Sequence, residues 1–235
     1  MPGIRHTFEA DLHRVDEILL RMCELAGEAA GDATASLAAC DVALAQRVID
    51  GDPAIDALHH ELEERLLHII ARRAPVATDL RMLLAALRVG ADLERMGDLA
   101  RHVAKLVRMR YPRPVAPGDS RALVLDMGSV AVRLAALTHA LLESHDIGLV
   151  NELIGVDDRL DHLHRTLLSS LLEPDWEHGV EPAVDLTLIA RFYERYGDHT
   201  VTIAHQVQFI VTGSLPEPRP REVAGPARQK IVVPR

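Results

Sequence analysis

Aromatic residues are scarce: one Trp, three Tyr and three Phe make up 3% of the 235 residues. Strands draw on aromatic and β-branched side chains, whereas Ala, Leu, Arg and Glu favour helix, so the composition argues against a sheet and for an all-α fold. Cysteine is nearly as rare. Cys23 and Cys40 show no C-x-x-C spacing, which removes the usual thiol-metal and redox motifs and leaves two reduced, buried thiols as the expectation. No apolar run stands out as long enough to cross a bilayer, and Met1-Pro2-Gly3-Ile4-Arg5-His6 carries no signal-peptide pattern. The expected location is therefore cytoplasmic, with no direct membrane insertion. Excess positive charge is missing too. A formal net charge of −9 repels phosphate backbones and anionic lipid heads, so nucleic acid is disfavoured as a partner. What is present, 48% hydrophobic and 26% charged residues, suffices for a sizeable core.

Helical periodicity runs through nearly everything before residue 214. Phe8, Leu12, Val15, Leu19, Met22 and Leu25 place a first long helix from about residue 5. Asp41 reads as the N-cap of a short helix through Val42, Leu44 and Val48. Asp52-Pro53 reads as the start of the next, an acidic cap before a proline at the first helical position. Its stripe is Ile55, Leu58, Leu62, Leu66 and Ile69, and Pro75 ends it. A third helix through Leu80, Leu83, Leu84 and Leu87 reaches about Arg110, where Tyr111-Pro112-Arg113-Pro114 and Ala116-Pro117-Gly118 break the chain.

The remainder repeats this plan. A shift of 105 places Asp41 on Asp146, Leu44 on Leu149, Asp52 on Asp157, Asp56 on Asp161 and His59 on His164. Further on the shift is 100, and Glu94-Arg95-Met96-Gly97-Asp98 falls on Glu194-Arg195-Tyr196-Gly197-Asp198, with Ala104 on Ala204 and Val107 on Val207. Two ordered matches on corresponding helices indicate duplication. The expected organisation is two tandem three-helix bundles, residues 1–112 and 118–213, followed by a Pro/Arg-rich tail, 214–235, expected to be disordered.

Carboxylate spacing is the strongest chemical signal. Glu94 and Asp98, Glu194 and Asp198, Asp52 and Asp56, and Asp157 and Asp161 are each four apart, which puts both members on one helix face, where like charges repel. A hard or borderline metal ion would neutralise them by accepting several carboxylate oxygens at once. On the third helix the ridge Leu80, Leu84, Leu87, Ala91 leads into Glu94 and Asp98, as if charge interrupted a packing stripe. His102 extends that line, with Thr202 as its counterpart. A blander reading stands beside this one. Asp52 and Asp157 are explained as N-caps, and Arg95, Arg101 and Arg195 form ordinary surface salt bridges with the acids. Gly97 and Gly197 each cost a helix about 1 kcal/mol relative to Ala, so close packing or access to a site requires them.

Catalytic motifs are absent. No G-x-S-x-G, P-loop or H-E-x-x-H occurs, and Glu143-Ser144-His145-Asp146 does not supply the Glu-x-x-His of di-iron carboxylate bundles. A protein-binding role is favoured over an enzymatic one; a metal-dependent helical-bundle enzyme and a metal-free interaction bundle stay open as alternatives.

Pro75-Val76-Ala77-Thr78-Asp79-Leu80-Arg81, then Ala85-Ala86-Leu87-Arg88 and Asp92-Leu93-Glu94-Arg95-Met96-Gly97-Asp98, resemble the signature of PhoU proteins. Arg191-Phe192-Tyr193-Glu194-Arg195-Tyr196-Gly197-Asp198-His199 and Phe209-Ile210-Val211-Thr212-Gly213 resemble its second copy, so that residues 5 to 213 are covered. The resemblance implies a cytoplasmic homodimer that negatively regulates phosphate uptake, acting on the ATPase subunit of the Pst phosphate ABC transporter and on a two-component sensor histidine kinase. It also implies iron or zinc clusters on the E/D-x-x-x-D faces, with Glu94, Asp98, Glu194 and Asp198 as ligands; Asp52, Asp56, Asp157 and Asp161 correspond more weakly. Manganese and magnesium suit the same oxygen donors.

Overall fold

A computed structural model describes residues 2–214, with side chains from Ala10 onward. The tail from residue 215, expected to be disordered, lies outside the described residues. Six helices follow in order: α1 (Pro2–Ala39), α2 (Val42–Arg73), α3 (Thr78–Arg110), α4 (Ser120–Ser144), α5 (Gly148–Ser170) and α6 (Val180–Thr212), with no strand among the described residues. This is the expected all-α, internally repeated architecture. Each half is a three-helix bundle.

Cap chemistry sets the boundaries. Asp41 Oδ1 accepts the Ala43 and Leu44 N–H groups at 2.9 and 3.0 Å, satisfying two of the donors orphaned at the start of α2. Its counterpart Asp146 accepts the Gly148 N–H at 2.9 Å at the start of α5. Ala74, in the left-handed conformation, closes α2, and Pro75 follows, unable to continue the helix. Gly213 closes α6 in the same conformation with φ +77°.

One boundary differs from the sequence reading. There is no helix break at Asp52-Pro53: α2 is continuous from Val42, and Pro53 lies inside it. Val48 and Ile55, on either side of the proline, are both buried in the core. Their packing holds the helix together across one missing hydrogen bond. Asp52 therefore caps nothing; it is an interior helical residue pointing into the protein, and Asp157, inside α5, does likewise.

A second correction concerns α3. The ridge Leu84, Leu87, Ala91 is exposed, with Leu84 43% and Leu87 38% accessible. The buried stripe is one step over, through Leu83, Ala86, Gly90, Leu93, Gly97 and Ala100. Glu94 and Asp98 thus border the core rather than interrupt it.

The halves are not separate bodies. α1 packs on α4 and α3 packs on α6, while α2 and α5 lie outside this inner four-helix layer, α2 against α1 and α3, α5 against α4 and α6. Both inner pairs run antiparallel. Between α1 and α4, Cys23 Sγ meets the Ala135 carbonyl and Thr34 sits against Gly128. Between α3 and α6, Asp92 pairs with His199 at 2.8 Å, while Arg110 reaches Asp185. Two large buried side chains of α6 tie it to α1: Tyr193 Oη shares a 2.7 Å hydrogen bond with Thr34 Oγ1, and Tyr196 Oη donates to the Ala26 carbonyl at 3.1 Å. Inner helices of this kind are apolar on most sides. That explains α4, which is long and apolar enough to span a membrane by length and composition, contrary to the sequence reading. It packs against α1, α5 and α6.

The two copies part company at one end of the α3/α6 seam. Arg110 forks onto Asp185, Nε to Oδ2 at 2.5 Å and Nη2 to Oδ1 at 3.0 Å, and also pairs with Glu181. Asp185 is buried, and the pseudo-equivalent of this pair is apolar, Ile210 with Ala85. Stranding one member of a buried pair costs more than replacing both. Asp185→Ala is expected to lower Tm by several degrees, and Asp185→Ala with Arg110→Ile to recover most of that loss, as read by thermal denaturation.

Candidate functional site

The eight carboxylates fall into two grooves, one in each bundle. Asp52 of α2 lies beside Asp56 of its own helix and Asp98 of α3, with Glu94 one turn from Asp98; Asp161 of α5 faces Glu194 and Asp198 of α6, and Asp157 lies against Gly197. The helices approach closely here because Gly97 and Gly197 lack side chains. A Cβ on Gly97 would lie 2.6 Å from Ile55 Cδ1, and one on Gly197 would collide with Asp157 Oδ1 and lie 2.9 Å from Leu160 Cδ2. The glycines serve interhelical packing directly beside the inner acids, which accounts for residues that disfavour helix.

Neutralisation differs between the grooves. In the first, Arg101 of α3 bridges the helices: Nη1 donates to Asp52 Oδ2 and Nη2 to Asp98 Oδ1, both in short contacts. Arg95 adds a 3.0 Å bond to Asp98 Oδ2 and lies 3.5 Å from Glu94. Asp52 is only 5% accessible, and burial pushes its carboxyl above the usual range; Arg101 opposes this, while Asp56 and Asp98 add to it. Arg101 is thus more than the surface partner the sequence suggested. His102 stacks on Phe192 across the seam, ring centroids 5.2 Å apart. Burial, then Lys105 and Arg101, favours its neutral form.

In the second groove Val201 stands where Arg101 stands in the first. Glu194 is held by Arg191 of its own helix, while its Oε2 is buried without a hydrogen-bond partner. Burial raises the Glu194 carboxyl, and repulsion from Asp198 raises it further against the pull of Arg191. Asp161 is raised by burial and then by Asp198. Burial, then Arg191, lowers the pKa of His164 alongside, while Asp161 and Asp198 oppose this. Asp157 is buried and Asp198 exposed.

These donors decide how well a metal ion would fit. All are hard carboxylate oxygens, right for iron, zinc, manganese or magnesium in kind. The first groove does not fit as it stands, because a guanidinium already occupies the space between Asp52 and Asp98. The second offers an unmatched carboxylate oxygen on Glu194 and has Val201 at the position of Arg101. No three Asp, Glu, His or Cys side chains converge into a formed centre among the described residues, so an ion at Glu194, Asp198 and Asp161 would need other ligands to complete its shell.

The cysteines do not present an activated nucleophile. Both cysteines are free; Cys23 is buried, its thiol pushed up to about 12 by desolvation and so inert. Cys40, expected to be buried, is half-buried, with Sγ 3.6 Å from the Pro112 and Arg113 carbonyls. The polar links that sequence reasoning missed, Arg110 to Asp185 and Asp92 to His199, join residues 75 and 107 positions apart. Asp185, one turn after Glu181 and directly before the apolar Leu186, was the available signal.

The acidic pair of the second groove yields a pH signature. A carboxyl whose folded pKa is raised favours folding at low pH, and that advantage is lost as pH climbs through the raised value. Above it, Glu194 burdens the fold. Glu194→Gln is therefore expected to stabilise the protein at pH 7 by about 0.5 kcal/mol, the scale of a like-charge i,i+4 repulsion, with the gain vanishing as pH falls through the carboxylate range. Urea melts at several pH values measure this.

The PhoU domain model matches residues 19–107 and 124–207, one match for each bundle. The phosphate-specific transport system accessory protein PhoU homolog 2 of Mycobacterium tuberculosis is 40% identical over 213 residues, spanning 91% of this chain and 100% of the relative. PhoU homolog 1 of Mycobacterium leprae is 40% identical over 214 residues, 91% and 96% of the two chains. Among solved structures, PhoU from Pseudomonas aeruginosa superposes with a TM-score of 0.83 at 29% identity, covering 88% of this chain and 100% of that one.

Proposed function

The chain belongs to the PhoU family, and from that membership we propose that it restrains phosphate uptake and phosphate-regulon signalling by docking on other proteins rather than by turning over a substrate. The observation that carries this reading is the 40% identity to a phosphate-specific transport accessory protein across that protein's full length. The partners that fit are the ATPase subunit of the Pst transporter, from whose system the relatives take their name, and a sensor histidine kinase. The protein acts in the cytoplasm as a homodimer under this reading.

Apolar side chains exposed on the two long inner helices support a docking role: Leu84 and Leu87 near the start of α3, and Val180, Val184 and Leu188 near the start of α6. Because α3 and α6 run antiparallel, these stripes lie at opposite ends of the molecule and leave separate faces for separate partners. An ion held by the second groove would offset the negative charge of Glu194, Asp161 and Asp198. The chain's own residues set how much it is needed, through burial of Glu194 and the close approach of Asp157 to Gly197. For such an ion to bear on docking, it must favour one docking state over the other.

Deleting the gene is expected to leave phosphate-starvation genes expressed in phosphate-rich medium, with repression restored by the intact protein. Repression that persists in the deletion strain, with no paralogue present, would overturn the regulatory reading and bring the metal-dependent enzyme forward.

A further inference from the structure

The two copies share their carboxylates, yet the arginine that spans the first groove has no counterpart in the second. Arg101 is 25% accessible, and its two terminal nitrogens reach carboxylates on different helices, Asp52 on α2 and Asp98 on α3. In the second copy Val201 is buried in the core and cannot do this. The contact of Arg191 with Glu194 there runs along one helix, from a side chain that is 53% accessible, and so does not itself join α5 to α6.

We infer that Arg101 is a built-in counter-cation that takes the place of a bound ion in the α2/α3 groove and closes that groove to metal ions. The guanidinium is permanently charged and planar, and its fork can satisfy two carboxylates at once. A metal ion competing for Asp52 and Asp98 must break both contacts and move a positive side chain out of a half-buried position before it gains any ligand. The ion's attraction to the acids is opposed by the displaced charge, which stays tethered one turn away. The two halves of the molecule therefore answer differently to metal: the first is indifferent, and any ion response belongs to the second. This last clause rests on the ion-binding part of the functional reading; the closure of the first groove does not.

The test replaces Arg101 with the residue of the other copy. Arg101→Val is expected to take up about one more Mn²⁺ per chain than the unaltered protein in calorimetric titration. Its Tm should fall in EDTA and recover with Mn²⁺, the mass-action signature of an ion that binds only the folded state. Adding Asp52→Asn and Asp98→Asn to Arg101→Val should abolish the extra uptake. Should Arg101→Val fail to fold, Arg101→Gln, which keeps a polar stem but no charge, reads the same quantity. Uptake no greater than that of the unaltered protein, or extra uptake that survives loss of Asp52 and Asp98, overturns the inference. Glu194→Gln with Asp198→Asn in an otherwise unaltered chain reports separately on the second groove. Unchanged Mn²⁺ uptake in that variant refutes ion binding by the second groove, whereas the Arg101 variants alone decide whether the first is closed.

Discussion

The antiparallel packing of α3 on α6 constrains everything else in this molecule. Each is 33 residues long, and each must bury one face inside its own bundle and another against its counterpart. Glycines let the outer helix close in on each: a Cβ on Gly90 or Gly97 would meet Leu62 or Ile55 of α2, and one on Gly197 would meet Asp157 and Leu160 of α5. The same crowding pushes the acids of the repeated motif to the groove with the outer helix. Those acids lie at the border of the core, partly desolvated but still reachable. Their perturbed protonation is a consequence of core geometry, since burial leads every shift among them.

Much of this is legible in the sequence. The duplication, the long helices and the placing of each acid pair on one helix face follow from periodicity and internal matching. Asp41 reads correctly as a cap because a cap is local. Asp52-Pro53 misleads because local start signals cannot see Val48 and Ile55 packing on both sides of the proline. The stripe on α3 is displaced for a related reason: Leu84 and Leu87 look like core residues by type, while Gly90 and Gly97 look like breaks, yet the close packing of α2 buries the glycines and leaves the leucines outside. The bridging role of Arg101 depends on the distance between two helices, which spacing along one of them does not encode.

Duplication followed by divergence explains why the polar links are unequal. Where Arg110 and Asp185 form a buried pair, the equivalent residues Ile210 and Ala85 are apolar; where Arg101 bridges, Val201 does not. Each copy retains the framework and satisfies its charges separately. A partner or ion that recognised the framework alone would treat the halves alike, and the unequal charges are what allow it to tell them apart.

The apolar character of α4 bears on how the chain is made. α1 precedes it and can shield one side at once, but α6, which covers another, is completed roughly 70 residues later. At the usual pace of synthesis that interval lasts on the order of 3–14 s. Throughout it the nascent protein presents a helix with the length and hydropathy of a membrane segment, covered by α1 and, once made, by α5, but bare on the side that α6 will take. The ribosome-bound chain is thus at its stickiest midway through translation, where slow codons after residue 144 would prolong the exposure and rapid ones would shorten it.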